Sequence, residues 1–146
     1  MPSVPHTPDE VLAWLQHSHD IHDSLDITRL EDVYSKSAQL KFTNYPVAEG
    51  IDAIKQAFIP SFASLSCMKH ITRLADKVGD NRIWLVADIT YRVNGDPENR
   101  DINIPAAGLV TIVTEGEETG KIARFEVFLD NTPIRERIET AAKGTV

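Results

Sequence analysis

Cysteine, long apolar runs and a signal-peptide pattern are missing or nearly missing from this sequence. Cys67 is the one cysteine, so an internal disulfide and a Cys-x-x-Cys metal site are excluded. We expect its thiol to act as a small apolar side chain. No stretch approaches the ~20 apolar residues of a membrane-spanning helix, and the proline-bearing N-terminal segment has no apolar run of the signal-peptide kind. We therefore expect a cytoplasmic protein that does not enter a membrane.

Positive charge is also scarce. The 22 Asp and Glu residues outnumber the 15 Lys and Arg residues, which gives a formal net charge of −7, and the basic residues form no cluster. Nucleic acids and anionic membranes are bound by concentrated positive surface, so neither is an expected partner. The length of 146 residues, 42% hydrophobic and 25% charged, is typical of one globular domain. We expect this domain over residues 1–146, with a flexible lead over 1–6 and a tail over 139–146.

The first predicted helix begins with a strong local signal. Thr7, Pro8 and Glu10 have the spacing of an N-cap, a first-turn proline and a capping-box acid. A stripe of mainly apolar residues at helical spacing carries the helix to about Ser24. The stripe consists of Val11, Trp14, Leu15, Ser18, Ile21, His22 and Leu25.

Two further helices are predicted before the strands begin. Asp26 is placed to cap a shorter helix that ends near Tyr34, and Gly50 opens a helix with one apolar stripe down to Leu65. Pro60 interrupts that stripe. Because proline removes a hydrogen bond and clashes with the preceding turn, it predicts a kink or two helical pieces.

The rest of the chain alternates with the period of strands. Asn94-Gly95 is a hairpin signal, and Pro105 and Gly108 predict a bulge or bend. Strands are predicted over residues 38–45, 68–78, 82–93, 102–114 and 121–133. Helices followed by a meander of strands predict an α+β fold. We expect a curved, mostly antiparallel sheet that wraps three helices and encloses a cone-shaped cavity.

The last strand, KIARFEVFLDNTP, is the most informative stretch. Ala123, Phe125, Val127 and Leu129 form one fully apolar face, whereas the other face mixes carboxylates with apolar side chains. Two such faces indicate a sheet that packs on one side and lines a pocket on the other. That mixed face carries Ile122, Arg124, Glu126, Phe128 and Asp130.

Short motifs in a fixed order resemble the NTF2-like superfamily and, within it, the SnoaL-like group. The motifs are Asp26-x-x-x-Leu30, Gly50-x-x-Ala53-Ile54, the strand start His70-Ile71-Thr72-Arg73-Leu74, the Gly79-Asp80 turn, and Lys121-Ile122 with Asp130. The resemblance covers roughly residues 9–138. It implies a cone-shaped α+β barrel, a mostly apolar pocket and frequent dimers. It also implies divergent functions, which include polyketide cyclases, ketosteroid isomerase and scytalone dehydratase.

The resemblance also suggests catalytic residues. In SnoaL-like cyclases and ketosteroid isomerase, a pocket carboxylate acts as general acid or base, and Asp130 is similar in position to the cyclase residue. Such a carboxylate needs apolar surroundings that raise its pKa. The alternative is a strand-end aspartate that caps the following turn.

Two histidines are further candidates. His70 resembles in position a catalytic histidine of scytalone dehydratase, and an imidazole can transfer protons near neutral pH. His22 replaces a tyrosine that orients the substrate there, and Asp23 matches the aspartate next to that tyrosine. The alternative for each histidine is a buried, hydrogen-bonded structural role.

The segment HSHDIHD contains several metal-ligand residue types, but its helical phase disfavours a metal site. His17 lies far from the stripe and Asp20 faces solvent, while His19 and Asp23 lie one turn apart and form at most a surface pair. We expect no metal and no other cofactor.

Several side chains could line the cavity or fill a solid core. Asp88 requires a partner if it faces the helices. The predicted substrate-binding residues are Trp14, Phe42, Tyr45, Phe58, Phe62, Trp84, Asp88 and Glu126.

These patterns together predict a small-molecule enzyme. The expected activity is cofactor-independent proton transfer by an isomerase, cyclase or dehydratase (a lyase), acting on a hydrophobic, carbonyl-bearing compound of secondary metabolism. Asp130 would be the acid or base, and His70 and His22 would polarise or relay. The sheet is apolar on both faces, so we also expect a homodimer. The alternative function is a non-catalytic dimeric ligand-binding or association domain.

Overall fold

The structure, a computed structural model, describes residues 3–144. The predicted lead and tail extend to Met1, Pro2, Thr145 and Val146, which lie outside the described residues. In chain order the elements are α1 (Pro8–Asp23), a 3₁₀ helix (Ile27–Asp32), β1 (Tyr34–Phe42), β2 (Ala48–Glu49), α2 (Ile51–Ser64), β3 (Leu65–Val78), β4 (Arg82–Val93), β5 (Ile102–Ile112), β6 (Ile122–Phe128) and α3 (Thr132–Gly144). Between residues 3 and 144, no helix is both long and apolar enough to span a membrane.

The six strands form one open, mixed sheet in the order β2-β1-β6-β5-β4-β3. Strands β3 to β6 are an antiparallel meander, and β1 joins it by pairing parallel to β6. The 3₁₀ helix and α1 and α2 precede the meander and cover its inner face. This arrangement confirms the predicted α+β class with helices on a curved, mostly antiparallel sheet.

Helix α1 begins where its N-terminal signal predicts. The Thr7 side chain accepts a hydrogen bond from the Glu10 amide at 3.2 Å, and the Glu10 carboxylate accepts one from the His6 amide at 2.8 Å. The buried face of the helix packs on β3. That face contains Val11, Trp14, Leu15, Ser18, His19, Ile21 and His22.

Some predicted boundaries are wrong. The segment after Asp26 forms a 3₁₀ helix that ends at Asp32, so β1 begins earlier than predicted. Helix α2 is not divided into two pieces, because Pro60 lies on its exposed side and the Ser64 hydroxyl donates to the Pro60 carbonyl at 2.8 Å. The register of β4 with β5 continues unbroken through Pro105 and Gly108, so the predicted bulge is not there.

The two faces of the sheet have separate roles. On β4 and β6 the inner face carries apolar side chains such as Leu85, Phe125 and Val127, whereas Trp84 and Phe128 lie exposed on the outer face. Their rings approach to 6.2 Å between centroids. The assignment of the two faces of the last strand is therefore reversed. The fully apolar face lines a pocket, and the face with the carboxylates is turned outward.

Helix α3 closes one end of the sheet. Its Ile134 and Ile138 pack against the core. Arg137 pairs with the buried Asp96 in the β4–β5 turn, where its Nε donates to Asp96 Oδ2 at 2.9 Å. This ion pair attaches α3 to the hairpin beside the pocket.

Candidate active site

A cavity of about 80 Å³ lies between α1, α2 and the inner face of the sheet. We call it the inner chamber. Most of its wall is apolar and comes from the sheet, and its polar groups come from α1, β1, β3 and β4. These polar groups belong to His19, His22, Tyr34, His70 and Tyr91. All five are aromatic rings, so the chamber presents a few hydrogen-bonding atoms in apolar surroundings.

His70 and Asp23 form an ion pair at the chamber wall. His70 Nδ1 lies 2.5 Å from Asp23 Oδ1, and the His70 amide donates to Asp23 Oδ2 at 3.0 Å. The side chains are only 16% and 11% exposed. Because a carboxylate accepts, Nδ1 carries the proton. Nε2 has no hydrogen-bond partner among residues 3–144, and this leaves it for a ligand.

The position of this pair follows from the packing of α1 on β3. Asp23 is the last residue of α1, and His70 is near the start of β3, on which α1 packs. The two hydrogen bonds hold both carboxylate oxygens and fix the tautomer of the imidazole. An imidazole oriented by a buried carboxylate has the geometry of a general base.

His19 stacks on His70. The two ring centroids are 4.8 Å apart and the planes differ by 9°. His19 Nε2 lies 2.9 Å from Thr72 Oγ1. Burial, together with the neighbouring His70, lowers the pKa of His19 to about 3. His19 is therefore neutral at pH 7, and its ring holds His70 in one plane without competing for a proton.

His22 is a hydrogen-bond acceptor for Tyr34. Its Nδ1 lies 2.8 Å from the Ser18 carbonyl, which can only accept, so Nδ1 carries the proton. Nε2 then accepts from the Tyr34 hydroxyl at 2.9 Å. Burial lowers the pKa of His22 to about 4 and raises the pKa of Tyr34. At pH 7 both groups are neutral, and this geometry assigns His22 an orienting role.

Tyr91 supplies a further donor in the chamber wall. Its side chain is buried and lines the chamber, and its hydroxyl has no hydrogen-bond partner within residues 3–144. Burial and the nearby Asp23 carboxylate raise the pKa of Tyr91, so the hydroxyl stays protonated. Such a hydroxyl can donate to a ligand carbonyl.

Asp130 lies away from these groups. It is exposed after the end of β6, and its Oδ1 accepts from the Thr132 amide at 3.0 Å at the start of α3. Hydrogen bonds from the Thr132 side chain and backbone lower the pKa of Asp130, whereas a general acid needs a raised one. The expected convergence of Asp130 with His70 and His22 is not found. The structure favours the alternative of a capping aspartate.

The two histidines do converge. Their ring centroids lie 6.4 Å apart, and both rings line the inner chamber. Of the predicted pocket aromatics, Phe42 and Phe58 line this chamber. Tyr45 and Phe62 line adjoining cavities.

Four predicted substrate-binding residues lie elsewhere. Trp14 is buried in the core, where its Nε1 donates to the Gly120 carbonyl at 2.8 Å. Trp84, Asp88 and Glu126 are on the outer face of the sheet. The two carboxylates there pair with arginines, Asp88 with Arg73 at 2.9 Å and Glu126 with Arg124 at 3.2 Å. The outer face of β4 mixes Trp84 and Val86 with Asp88 and Thr90, as a pocket wall can, so its composition alone does not identify it as the outer one.

Four residues of the site were absent from the predicted set. Asp23 and His19 were expected to form at most a surface pair with each other. Instead, each side chain bonds to a residue of β3: Asp23 to His70, and His19 to Thr72. Tyr34 gave no signal, because the second helix was predicted to end there. Tyr91 shares a face with Leu85 and Ile89, and a hydroxyl at the end of an apolar stripe was the available clue. Within residues 3–144 no three His, Cys, Asp or Glu side chains are grouped as metal ligands.

Comparison with known proteins identifies the fold. No protein-family model matches the sequence, and no curated protein matches it. Solved structures do match. A candidate SnoaL-like polyketide cyclase from Jannaschia sp. CCS1 has a TM-score of 0.71 and 13% identity over 91% of this chain and 95% of its own. A second candidate cyclase, from Shewanella denitrificans OS-217, has a TM-score of 0.70 and 12% identity over 92% and 99%.

A third neighbour is the epoxide hydrolase/cyclase-like enzyme SalBIII, which acts in pyran ring formation in the polyether salinomycin. Its TM-score is 0.69 at 15% identity, over 85% of this chain and 93% of its own. These likenesses confirm the predicted resemblance to the NTF2-like superfamily and its SnoaL-like group at the level of the fold.

Proposed function

We propose that this chain, which has the NTF2-like fold, is a cofactor-independent acid–base enzyme. Its substrate would be a hydrophobic, carbonyl-bearing metabolite, and its reaction an isomerisation, cyclisation or dehydration. The observation that carries the proposal is the Asp23–His70 pair, with the His70 ring in the wall of an apolar chamber. Asp130, the base expected from the sequence, has no part in it.

The first step is proton abstraction by His70. Its Nε2 takes a proton from the carbon next to the substrate carbonyl, so that a C–H bond breaks and an N–H bond forms. The electron pair moves onto the carbonyl oxygen. Asp23 stabilises the resulting imidazolium through the Nδ1 hydrogen bond. The apolar wall strengthens this interaction because it excludes water.

Tyr91 would stabilise the charge that forms on the carbonyl oxygen. Its hydroxyl has a hydrogen to donate, whereas the Tyr34 hydroxyl already donates to His22. A preorganised donor of this kind typically contributes 10²–10³ in rate. We therefore assign Tyr91 to the substrate oxygen and the His22–Tyr34 pair to the shape and polarity of the chamber wall.

The second step determines the reaction class. The His70 imidazolium can return its proton to another carbon, which isomerises the substrate. It can instead protonate a leaving hydroxyl, so that the C–O bond breaks and water departs. In a cyclisation, the enolate carbon attacks a second carbonyl carbon of the same molecule, whose C=O π bond opens, and the imidazolium protonates the new alkoxide oxygen. Neighbours described as a polyketide cyclase and an epoxide hydrolase/cyclase-like enzyme support this range of chemistry.

Deuterium incorporation into simple ketones tests the proposal without the natural substrate. We expect the protein to accelerate exchange of the α-protons of 2-butanone and 2-heptanone with D₂O, measured by proton NMR. His70→Asn should reduce the rate to background, and Asp23→Asn should lower it by about 10²-fold or more. Asp130→Asn is the matched carboxylate control and should leave the rate unchanged. If the His70→Asn protein exchanges the α-protons as fast as the unaltered protein, the proposal fails.

A second candidate function is an association domain. The outer sheet face exposes Ile71, Leu74, Trp84 and Phe128, with exposed fractions of 58%, 50%, 37% and 51%. Opposite charges alternate across the same face. Two copies of this face could bury the apolar side chains and exchange ion pairs reciprocally. We therefore propose a homodimer through this face, which is compatible with either function.

A further inference from the structure

The inner chamber is too small for a whole metabolite. Its volume of about 80 Å³ is roughly half of the ~150 Å³ that takes up benzene in an engineered protein interior. It is also well below the ~300–1,000 Å³ of ordinary ligand pockets. The chamber therefore holds a fragment of a few heavy atoms, and the rest of a larger substrate has to extend out of it.

A second cavity adjoins the inner chamber. It has a volume of about 300 Å³ and lies between the β1–β2 loop and α2. We call it the vestibule. Tyr45 from the loop and Ala57 from α2 are exposed parts of its wall. Phe42 and Phe58 line both cavities. The two half-buried rings are therefore the boundary between the reacting groups and the mouth.

The polar groups of the vestibule carry no charge. The Ser61 hydroxyl and the Asn131 side-chain amide both line it, and neither has a hydrogen-bond partner in the described part of the chain. None of the described residues in its wall is ionisable near pH 7. A hydroxyl and an amide can hydrogen-bond an uncharged oxygen, but they offer no counter-charge to an anion.

From these observations we infer the substrate class of the site, an inference that rests on the proposed function. The substrate is an elongated, uncharged molecule with a compact carbonyl-bearing end and a tail. The carbonyl end lies in the inner chamber beside His70 and Tyr91. The apolar part passes between Phe42 and Phe58, and a distal hydroxyl or carbonyl meets Ser61 and Asn131 in the vestibule.

A competing route for the tail leads under α3. A cavity of about 120 Å³ there also includes Phe42, Phe58 and Tyr91, and it ends at Arg135. This route would suit an anionic tail, because Arg135 forms no ion pair with the described residues. Ser61 and Asn131 line the vestibule and the α3 cavity alike, but the vestibule is the larger of the two and has no charged residue among the described residues of its wall. We assign the tail to the vestibule and use the α3 route as an outcome of the test.

Binding of a ketone series tests the path of the tail. Titrations of 2-butanone, 2-heptanone and 2-nonanone would be followed by amide shifts in ¹H–¹⁵N NMR spectra. We expect affinity to rise with chain length and only the longer ketones to shift Tyr45 and Ala48. Affinity that does not rise beyond 2-butanone would overturn the inference. So would shifts at Ile134 and Ile138 in place of those in the vestibule.

A pair of matched variants locates the tail. Ala57 lines the vestibule but neither of the other two cavities, and Ala63 is exposed on the same helix outside all three. Ala57→Leu should weaken the binding of 2-nonanone by about tenfold and leave the binding of 2-butanone unchanged, because the larger side chain fills space only where the tail lies. Ala63→Leu should change neither. An Ala57→Leu protein that binds 2-nonanone normally contradicts the assignment.

The charge of the tail is tested with three ketones of equal chain length that differ only in the group at the end of the tail. We expect 9-hydroxy-2-nonanone to bind more tightly than 2-nonanone, and Asn131→Leu to remove the gain. The carboxylate 8-oxononanoate should bind more weakly than either. If it binds most tightly, and Arg135→Gln removes that binding, the uncharged class is wrong. Because these are binding measurements, loss of deuterium exchange with intact binding would refute only the proposed chemistry.

Discussion

At the scale of single residues, the site separates four imidazole and phenol groups by their hydrogen bonds. His70 has a carboxylate partner and a second nitrogen without one. His22 has both nitrogens occupied, by the Ser18 carbonyl and the Tyr34 hydroxyl. Tyr91 has a hydroxyl without a partner among residues 3–144. A group whose hydrogen-bonding atoms are all paired within the protein has a structural role. A group of the chamber wall with one unpaired hydrogen-bonding atom is available to a ligand.

Two buried neutral histidines predict acid sensitivity of the fold. The pKa values of His19 and His22 fall to about 3 and about 4 on folding, from an ordinary value near 6.5. At pH values between the folded and the unfolded pKa of each histidine, the unfolded chain binds a proton that the folded protein does not. The free energy of unfolding therefore falls as pH falls. We expect each histidine to cost about 1–2 kcal/mol of unfolding free energy between pH 7 and pH 5.

Urea unfolding of variants at pH 7 and pH 5 checks this expectation. His19→Gln, which keeps a hydrogen-bonding group near Thr72, should reduce the loss of stability between the two pH values. His17→Gln lies exposed on the same helix and should leave the loss unchanged. An equal loss in the His19→Gln and His17→Gln proteins would show that the buried histidines do not cause it.

The two tyrosines of the chamber should respond in opposite ways to loss of the hydroxyl. Tyr91→Phe should lower the deuterium-exchange rate by about 10²-fold with little change in stability, because its hydroxyl has no protein partner to lose. Tyr34→Phe should cost about 1–3 kcal/mol of unfolding free energy, because His22 Nε2 becomes a buried acceptor without a donor. Exchange rates and urea unfolding distinguish the two. A Tyr91→Phe protein with full activity would remove Tyr91 from the mechanism.

At the scale of elements, the close approach of β5 and β6 shapes the chamber. Gly108 on β5 faces Phe125 on β6, and a Cβ at Gly108 would lie 2.8 Å from Phe125 Cε1. The missing side chain lets the Phe125 ring approach the backbone of Gly108, and the ring lies 6.4 Å from the His22 ring between centroids. Glycine is therefore needed here for space.

Gly108→Ala is expected to destabilise the protein by about 1–3 kcal/mol, because the added methyl group overpacks the floor of the chamber. It should also weaken 2-butanone binding, since the displaced Phe125 ring moves toward the ligand. The measurements are urea unfolding and the ketone titration. Gly108→Ala combined with Phe125→Leu is the control, and it should recover most of the lost stability. Failure of that recovery would mean that Phe125 is not the conflicting group.

At the scale of the whole molecule, the open sheet leaves one face to helices and the other to solvent. The outer face holds Trp84 and Phe128 in contact, surrounded by Arg–Asp and Arg–Glu pairs. Large aromatic side chains on an exposed sheet face indicate an interface. The proposed homodimer would cover them.

Light scattering after gel filtration tests the dimer. We expect twice the 16.3 kDa chain mass for the unaltered protein, and the monomer mass for Trp84→Glu combined with Phe128→Glu, because buried unpaired carboxylates oppose association. The conservative double change to Leu should stay dimeric. A monomer mass for the unaltered protein at micromolar concentration would exclude this interface.

The sequence alone determined the class of fold and most of the elements, because these depend on local periodicity and capping. The Thr7 cap, the apolar stripe of α1 and the alternation of β4 are all present in the structure. The resemblance singled out His70 and His22, and both rings line the inner chamber. The sequence could not tell a mixed outer sheet face from a pocket wall, so Trp84, Asp88 and Glu126 were assigned to the wrong side.

Only the tertiary structure decided which groups meet. Asp23 and His70 are 47 positions apart, and their contact depends on how α1 crosses β3, which no local pattern encodes. The same packing leaves Asp130 at a helix start, where hydrogen bonds from Thr132 favour its charged form. A strand pattern gives a side chain its face, but burial and partners depend on what packs against that face. That is why the fold followed from the sequence and the Asp23–His70 pair did not.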